Sequence, residues 1–128
     1  YSMAQLQVTV VEGRNFKKQD WFSDNDPFVE IYLDNKSQKQ KTKIKYNTKT
    51  PLWNEIFFFN HLRGQNILHI DVYDKDFFCN DKIGSIKINL EDLYEQGHID
   101  NWYYLQSPTS ISSDGEIHLI LDYQPLQP

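Results

Sequence analysis

Residues 5–10 read Gln5-Leu6-Gln7-Val8-Thr9-Val10, and their strict alternation of polar and aliphatic side chains decides the fold class. A period of two puts Leu6, Val8 and Val10 on one face of an extended segment and Gln5, Gln7 and Thr9 on the other, which is the pattern of a half-buried strand. Working outward, the period returns in Pro27 to Leu33, where Val29, Ile31 and Leu33 alternate with Phe28, Glu30 and Tyr32. Further extended runs are expected at Gln40 to Tyr46, Glu55 to Asn60, Ile67 to Tyr73, Lys82 to Ile88, Trp102 to Leu105 and Glu116 to Tyr123. Turn signals separate them, among them Asn35-Lys36 and Asp114-Gly115. Eight short strands so spaced predict an all-β, eight-stranded antiparallel β-sandwich of Greek-key type rather than alternating βα units. One short helix is expected near residues 90–96, capped by Asn89, with Glu91 and Asp92 in its first turn and Gly97 at its end.

The 128 residues make one domain, taken as residues 4–125. Tyr1-Ser2 ahead of Met3 reads as an addition before a native start. Aromatics at 15% and only five glycines argue for a packed core. The single cysteine, Cys79, excludes an internal disulfide framework and a cysteine-rich zinc site, and it fits a reducing, cytoplasmic setting. No apolar run nears the ~20 residues of a membrane span, and no secretory signal opens the chain.

A formal charge of −5 hides an asymmetry. Six lysines and no acid lie between Lys36 and Lys49, so removing those six positive charges leaves −11 on the remainder. An evenly basic nucleic-acid binder is excluded, and only Tyr46 interleaves with the lysines as a stacking platform. Lys39, Lys41, Lys43 and Lys45 alternate, so a regular strand would point all four to one face. That face is either a binding surface for anionic headgroups or a solvated guard on an exposed strand.

The acids gather in two inter-strand loops. Asp20, Asp24 and Asp26 lie in the first, and Asp74, Asp76 and Asp81 in the second. Any one loop aspartate is a common turn former. Several converging from two loops would repel one another, and a hard divalent cation resolves that repulsion. Calcium accepts six to eight oxygens in flexible geometry and suits such loops better than magnesium. The spacing is not that of an EF-hand, because counting from Asp24 or Asp74 yields neither the glycine nor the glutamate that loop requires. Trp21 and Phe22 follow Asp20, and Phe77 and Phe78 follow Asp76. Large apolar side chains at acidic loop tips read as wedges for a bilayer surface, with the plain alternative that one of each pair folds back on the loop base.

No enzyme is legible. The histidines at 61, 69, 98 and 118 stand alone, Trp53 and Trp102 read as core anchors, and no nucleophile–base arrangement or phosphate-binding glycine loop is present. The triplet Asn35-Lys36-Ser37 fits a glycosylation sequon but sits in a chain of intracellular character.

The whole chain resembles a C2 domain, the calcium- and phospholipid-binding module. Leu6, Val8 and Val10 followed by Gly13 and Phe16 resemble the family's first strand and exit turn. Asp26-Pro27-Phe28-Val29 follows Asp20 by six residues. Lys43, then Thr50-Pro51, Trp53-Asn54-Glu55, Phe57 and Phe59, resemble the central signature, and Val72-Tyr73-Asp74, Asp76 and Ile83-Gly84 the third binding loop. A final strand over Gly115 to Tyr123 and a start at the Leu6 strand are similar to the type II arrangement.

The resemblance implies calcium ligands at Asp20, Asp26, Asp74, Asp76 and Asp81, with backbone carbonyls at Gln19 and Lys75, for one to two or more Ca²⁺ ions. Asp76 to Asp81 is one residue shorter than in many calcium-binding members, so Asn80 is an alternative oxygen ligand. It implies membrane insertion by Trp21, Phe22, Phe77 and Phe78, and a headgroup site at Lys39, Lys41, Lys43 and Lys45. The partner is then an anionic membrane containing phosphatidylserine or phosphoinositide, reached reversibly from the cytoplasm. The competing reading is a calcium-independent scaffold that binds a protein partner through the sandwich faces.

Overall fold

The computed structural model describes residues 3–17, 24–34, 38–62, 64–108 and 113–125. Their elements follow in the order β1 (Met3–Arg14), β2 (Pro27–Tyr32), β3 (Gln40–Lys41), β4 (Leu52–Leu62), β5 (Ile67–Asp74), β6 (Asp81–Asn89), α1 (Glu91–Gln96), β7 (His98–Gln106) and β8 (Ser113–Pro125). All strand pairings are antiparallel, in the order β3-β2-β5-β6-β7-β8-β1-β4. The ribbon is nearly cut at its middle, where β6 and β7 share the single pair Ser85–Gln106. There it folds over, and the layer β3-β2-β5-β6 faces the layer β7-β8-β1-β4 as a sandwich.

The facing sides make one apolar cluster. Leu6, Val8 and Val10 of β1 meet Val29 and Ile31 of β2, Ile70 and Val72 of β5, and Leu119 and Leu121 of β8. Each of these aliphatic side chains contributes about 1.5–3 kcal/mol by leaving water. Leu90 and Leu93 close one end of the cluster from the short helix. Asn89 Oδ1 accepts the Glu91 N–H at 2.9 Å. Gly97, at φ +78°, returns its N–H to the Leu93 carbonyl at 2.7 Å, a left-handed stop that a Cβ would strain.

The two outermost strands, β3 and β4, come together through side chains. Gln40 Nε2 donates to the Phe58 carbonyl at 2.9 Å, and the Trp53 indole donates to the Lys43 carbonyl at 2.9 Å. Trp53 is buried, as expected of a core anchor.

Four local features depart from the sequence pattern. β2 buries both its faces, because Tyr73 stacks on Phe28 with ring centroids 5.6 Å apart and His69 stacks on Tyr32 at 4.7 Å. The expected strand from Gln40 to Tyr46 shrinks to the two residues of β3. Past it, the Thr42 hydroxyl accepts the Val29 N–H at 2.9 Å and so displaces a ladder carbonyl. The chain still follows β2, with Thr42 N–H donating to the Val29 carbonyl and Lys45 N–H to the Pro27 carbonyl. Asp114-Gly115 is no turn tip: Gly115 lies inside β8, where a Cβ would meet the Phe16 ring at 2.5 Å. Trp102 is not in the core. Tyr103 and Leu105 face inward, so Trp102 faces outward between the Arg14 guanidinium, 3.8 Å from its ring centroid, and the His118 ring at 5.0 Å. The turn signal Asn35-Lys36 and the sequon lie outside the described residues.

Candidate metal centre and apolar loop tip

Strand register assembles the site. Pro27 pairs with Asp74 and Asp74 with Asp81, so the start of β2, the end of β5 and the start of β6 lie side by side. The loops leaving these ends are stitched by main-chain hydrogen bonds. Asp26 N–H donates to Asp74 Oδ1 at 2.7 Å, and Lys75 N–H donates to the Asp26 carbonyl at 3.0 Å. Asp74 is 7% exposed, which fixes its carboxyl at the floor of the site.

A third segment, residues 42–51 between β3 and β4, props the first loop. Asn47 N–H donates to Asp26 Oδ1 at 2.6 Å, and Asn47 Oδ1 accepts the Asp24 N–H at 3.0 Å. Asn47 does so from φ +53°, a left-handed conformation that asparagine tolerates better than most residues. Thr48 N–H adds a bond to the Asn25 carbonyl, and the buried Asn25 amide donates to the Lys17 carbonyl at 2.7 Å. Asn47 was missed in the sequence, where its only signal was an asparagine in a polar run ahead of Thr50-Pro51.

The result is a cleft of about 270 Å³ lined by Asp24, Asp26, Asp74, Asp76, Asp81, Lys75 and Phe77. Four of the expected carboxylates, Asp26, Asp74, Asp76 and Asp81, thus surround one space, and Asp24 joins them. Asp20, Gln19, Trp21 and Phe22 lie outside the described residues. Asp76 Oδ1 accepts the Phe77 N–H at 2.6 Å, while Asp76 N–H faces Asn80 Oδ1 at 3.4 Å. Phe77 and Phe78 stand at the rim, 89% and 91% exposed, packed edge-to-face at 5.0 Å with no other apolar cover among the described residues. Cys79 is exposed beside them.

Five carboxylates against the single ammonium of Lys75 make the cleft strongly anionic, and all its donors are hard oxygens. That chemistry fits a calcium ion. Among the described residues no three acidic, imidazole or thiol side chains converge tightly enough to hold an ion as they stand. Asp26, Asp74 and Asp76 each turn one oxygen onto a backbone N–H. A carboxylate has roughly four lone-pair positions, so one such bond leaves it able to ligate.

The four lysines stand in different surroundings, because the regular strand that would have turned them all to one face ends at Lys41. Lys39 is held by Glu30 at 3.3 Å, with its ammonium 5.5 Å from the Tyr32 ring centroid. Lys41 and Lys43 are exposed and line a groove of about 200 Å³ with Phe28, Thr42, Ile44, Lys75 and Asn80. Lys45 is half-buried. Three of the histidines face carboxylates away from the cleft: His69 faces Asp34 at 3.6 Å, His98 faces Asp122 at 2.5 Å and His118 faces Asp100 at 2.5 Å.

The sequence profile of the C2 domain family matches residues 4–105. Synaptotagmin-1 of Aplysia californica is 31% identical over 134 residues, covering 98% of this chain and 31% of that protein. Cytosolic phospholipase A2 delta of Homo sapiens is 33% identical over 121 residues, covering 93% of this chain and 14% of that protein. A solved C2 domain of a plant extended synaptotagmin 1 superposes with a TM-score of 0.86 at 27% identity, over 100% of this chain and 99% of that one. The chain therefore spans less than a third of the length of either curated relative. No helix among the described residues is long and apolar enough to cross a membrane.

Proposed function

The chain belongs to the C2 domain family, and from that premise we propose that residues 4–125 form a Ca²⁺-dependent peripheral membrane-targeting module for anionic phospholipid. One observation carries the reading: a cleft walled by five carboxylates opens directly beside two phenylalanines that are almost fully exposed. Asp26, Asp74, Asp76 and Asp81, with Asp20 by resemblance, would hold one to two or more ions, supported by the carbonyls of Gln19 and Lys75. Bound there, Ca²⁺ would neutralise the carboxylates and offer open coordination positions to headgroup oxygens.

The chain's own residues supply the rest. Without a cation the acidic cleft repels an anionic surface and keeps Phe77 and Phe78 away from it. Once that repulsion is cancelled, each ring gains about 2–3 kcal/mol by entering the headgroup and acyl boundary. Trp21 and Phe22 are assigned the same role from the sequence. Lys41 and Lys43 add attraction of about 1 kcal/mol each near an anionic leaflet, where phosphatidylserine or a phosphoinositide supplies the charge. Lys39 and Lys45 take a lesser part. The reading gives the chain no catalytic residue and places it in the cytoplasm, recruited to membranes reversibly.

Co-sedimentation with phosphatidylcholine vesicles, with and without phosphatidylserine or a phosphoinositide, tests it. Binding is expected only with the anionic lipid and only in Ca²⁺. Equal binding in excess EDTA overturns it; no calcium heat by calorimetry, together with a protein partner retained in a pull-down, would favour the calcium-independent scaffold.

A further inference from the structure

The outer face of the β4-β1-β8-β7 layer has no part in the loop site, yet it carries two features that need a partner. On β4, Leu52, Ile56 and Phe58 are 55%, 54% and 52% exposed, an apolar stripe along a strand at the end of the sheet order. Grouped exposure of this kind on a sheet edge is a liability unless something covers it. Across the sheet the register runs Phe58–Gln7–Asp122 and Ile56–Thr9–Ile120, so the stripe passes through a neutral row into an acidic half.

That half holds the carboxylates of Asp100, Glu116 and Asp122, and Glu12 of β1 adjoins it, in register with His118. Glu116 binds Arg14 at 3.0 Å, Asp122 binds His98 at 2.5 Å, and His118 lies between Asp100 at 2.5 Å and Glu12 at 3.6 Å. Four carboxylates against the one guanidinium leave a formal −3 with both imidazoles neutral and −1 with both protonated, so the face is acidic in either state. His118 Nδ1 is buried with no hydrogen-bond partner among the described residues.

We propose that this face docks a cationic amphipathic helix of a partner protein, with its apolar side over Ile56 and Phe58 and its lysine or arginine edge over Asp100 and Asp122. The sign of the charge selects this occupant. An anionic membrane is repelled by the same carboxylates, and the chain's lysine groove lies on the other layer, so this face stays open when the loops and lysines engage lipid. The dimensions agree. β4 and β8 are two strand spacings apart, roughly 10 Å, which is about the width of one helix. A helix lying over β1 therefore meets the stripe on one flank and Asp122 of β8 on the other, with a long lysine or arginine side chain extending one strand further to Asp100 on β7.

The test uses an 18-residue leucine/lysine peptide patterned as an amphipathic helix and its leucine/glutamate counterpart, titrated against the intact chain in saturating Ca²⁺. The lysine peptide is expected to bind and the glutamate peptide is not. I56S with F58S, and separately D100N with D122N, are expected to weaken binding at least tenfold, while D76N leaves it unchanged. On the unmodified chain, the ring resonances of His98, His118 and Trp102 are expected to shift on titration, a readout independent of whether a variant folds well. Loss of peptide binding in D76N would assign the peptide to the loop cleft and overturn the proposal. So would binding unaffected by I56S with F58S, or self-association that this pair abolishes, which would make a second copy the occupant. Vesicle binding reports on the loops separately, so either reading can fail without the other.

Discussion

The acidic cleft and the lysine groove share Lys75 as a wall, yet they are built by opposite means. The cleft draws its carboxylates from separate loops and fixes them with main-chain bonds of 2.6–2.7 Å at Asp26, Asp74 and Asp76. The groove takes Lys41 and Lys43 from one short segment whose side chains fan outward beside β2. Fixing like charges around one space raises the energy of the empty site, so under the proposed function the cleft would be committed to a cation. Spreading lysines along an edge leaves each with its own hydration, so under the same proposal the groove would act as a diffuse attraction. Changes in the cleft should therefore be close to all-or-none, and changes in the groove graded.

The largest break in that contrast is expected from Asp74→Asn. The amide keeps an oxygen to accept the Asp26 N–H, so the fold is preserved, but a charge is lost from the floor of the cleft. Calorimetry should record a loss of calcium affinity of roughly 100-fold, at the upper end for residues that support a metal site. Co-sedimentation should vanish with it while the melting temperature barely moves. A calcium affinity within about threefold of the unmodified chain, a shift too small for the loss of a ligand, would remove Asp74 from the site.

Phe77→Ala combined with Phe78→Ala comes next. Two rings at about 2–3 kcal/mol each, reduced by the cost of ordering the loop, predict vesicle affinity lower by roughly 50-fold. Calcium affinity without lipid should be unchanged, because neither ring offers an oxygen. Equal vesicle affinity in the double variant would show that carboxylates and lysines alone hold the membrane.

What could be read in advance divides along the same line. Leu6, Val8 and Val10 disclose their strand because each side chain's environment follows from its two neighbours. The second face of β2 does not, because its cover comes from Tyr73 and His69, some forty residues downstream. The lysine strand fails at Thr42 for a similar reason: a hydroxyl aimed at the Val29 N–H is invisible to a period-two pattern. In the cleft, residue type alone singled out the aspartates, and the register of β2, β5 and β6 then sets Asp26, Asp74 and Asp81 together despite the shortened loop before Asp81. Asn47 escaped notice because its role is a pair of bonds to residues more than twenty positions away.

The groove should give the graded response. Lys41→Ala removes about 1 kcal/mol of attraction, so vesicle affinity should fall about fivefold at low salt. The difference should disappear near 0.5 M salt, where screening is nearly complete at this range. Lys39→Ala should change it less than about twofold, since Glu30 already engages that ammonium. If Lys39→Ala matches Lys41→Ala, the lysines work as the single face that their alternation first implied.

The smallest effect lies outside both sites and tests whether they are isolated from the opposite layer. His98 is raised above its ordinary value, first by its hydrogen bond to Asp122 and then by the charge of that carboxylate. Its stabilising contribution is therefore fully present below the unfolded histidine value near 6.5, and it is lost as pH rises through the higher folded value. The ring is exposed, so the melting temperature should decline only slightly over that window. Asp122→Asn should bring the His98 proton resonance titration back toward about 6.5 and flatten the decline. No imidazole among the described residues lines the cleft or the groove, so vesicle binding in saturating Ca²⁺ should not follow the His98 titration. A vesicle affinity that tracked it, and lost that dependence in Asp122→Asn, would mean that the outer face of the second layer is coupled to the loops, and the separation between a committed site and a diffuse one would have to be redrawn to include it.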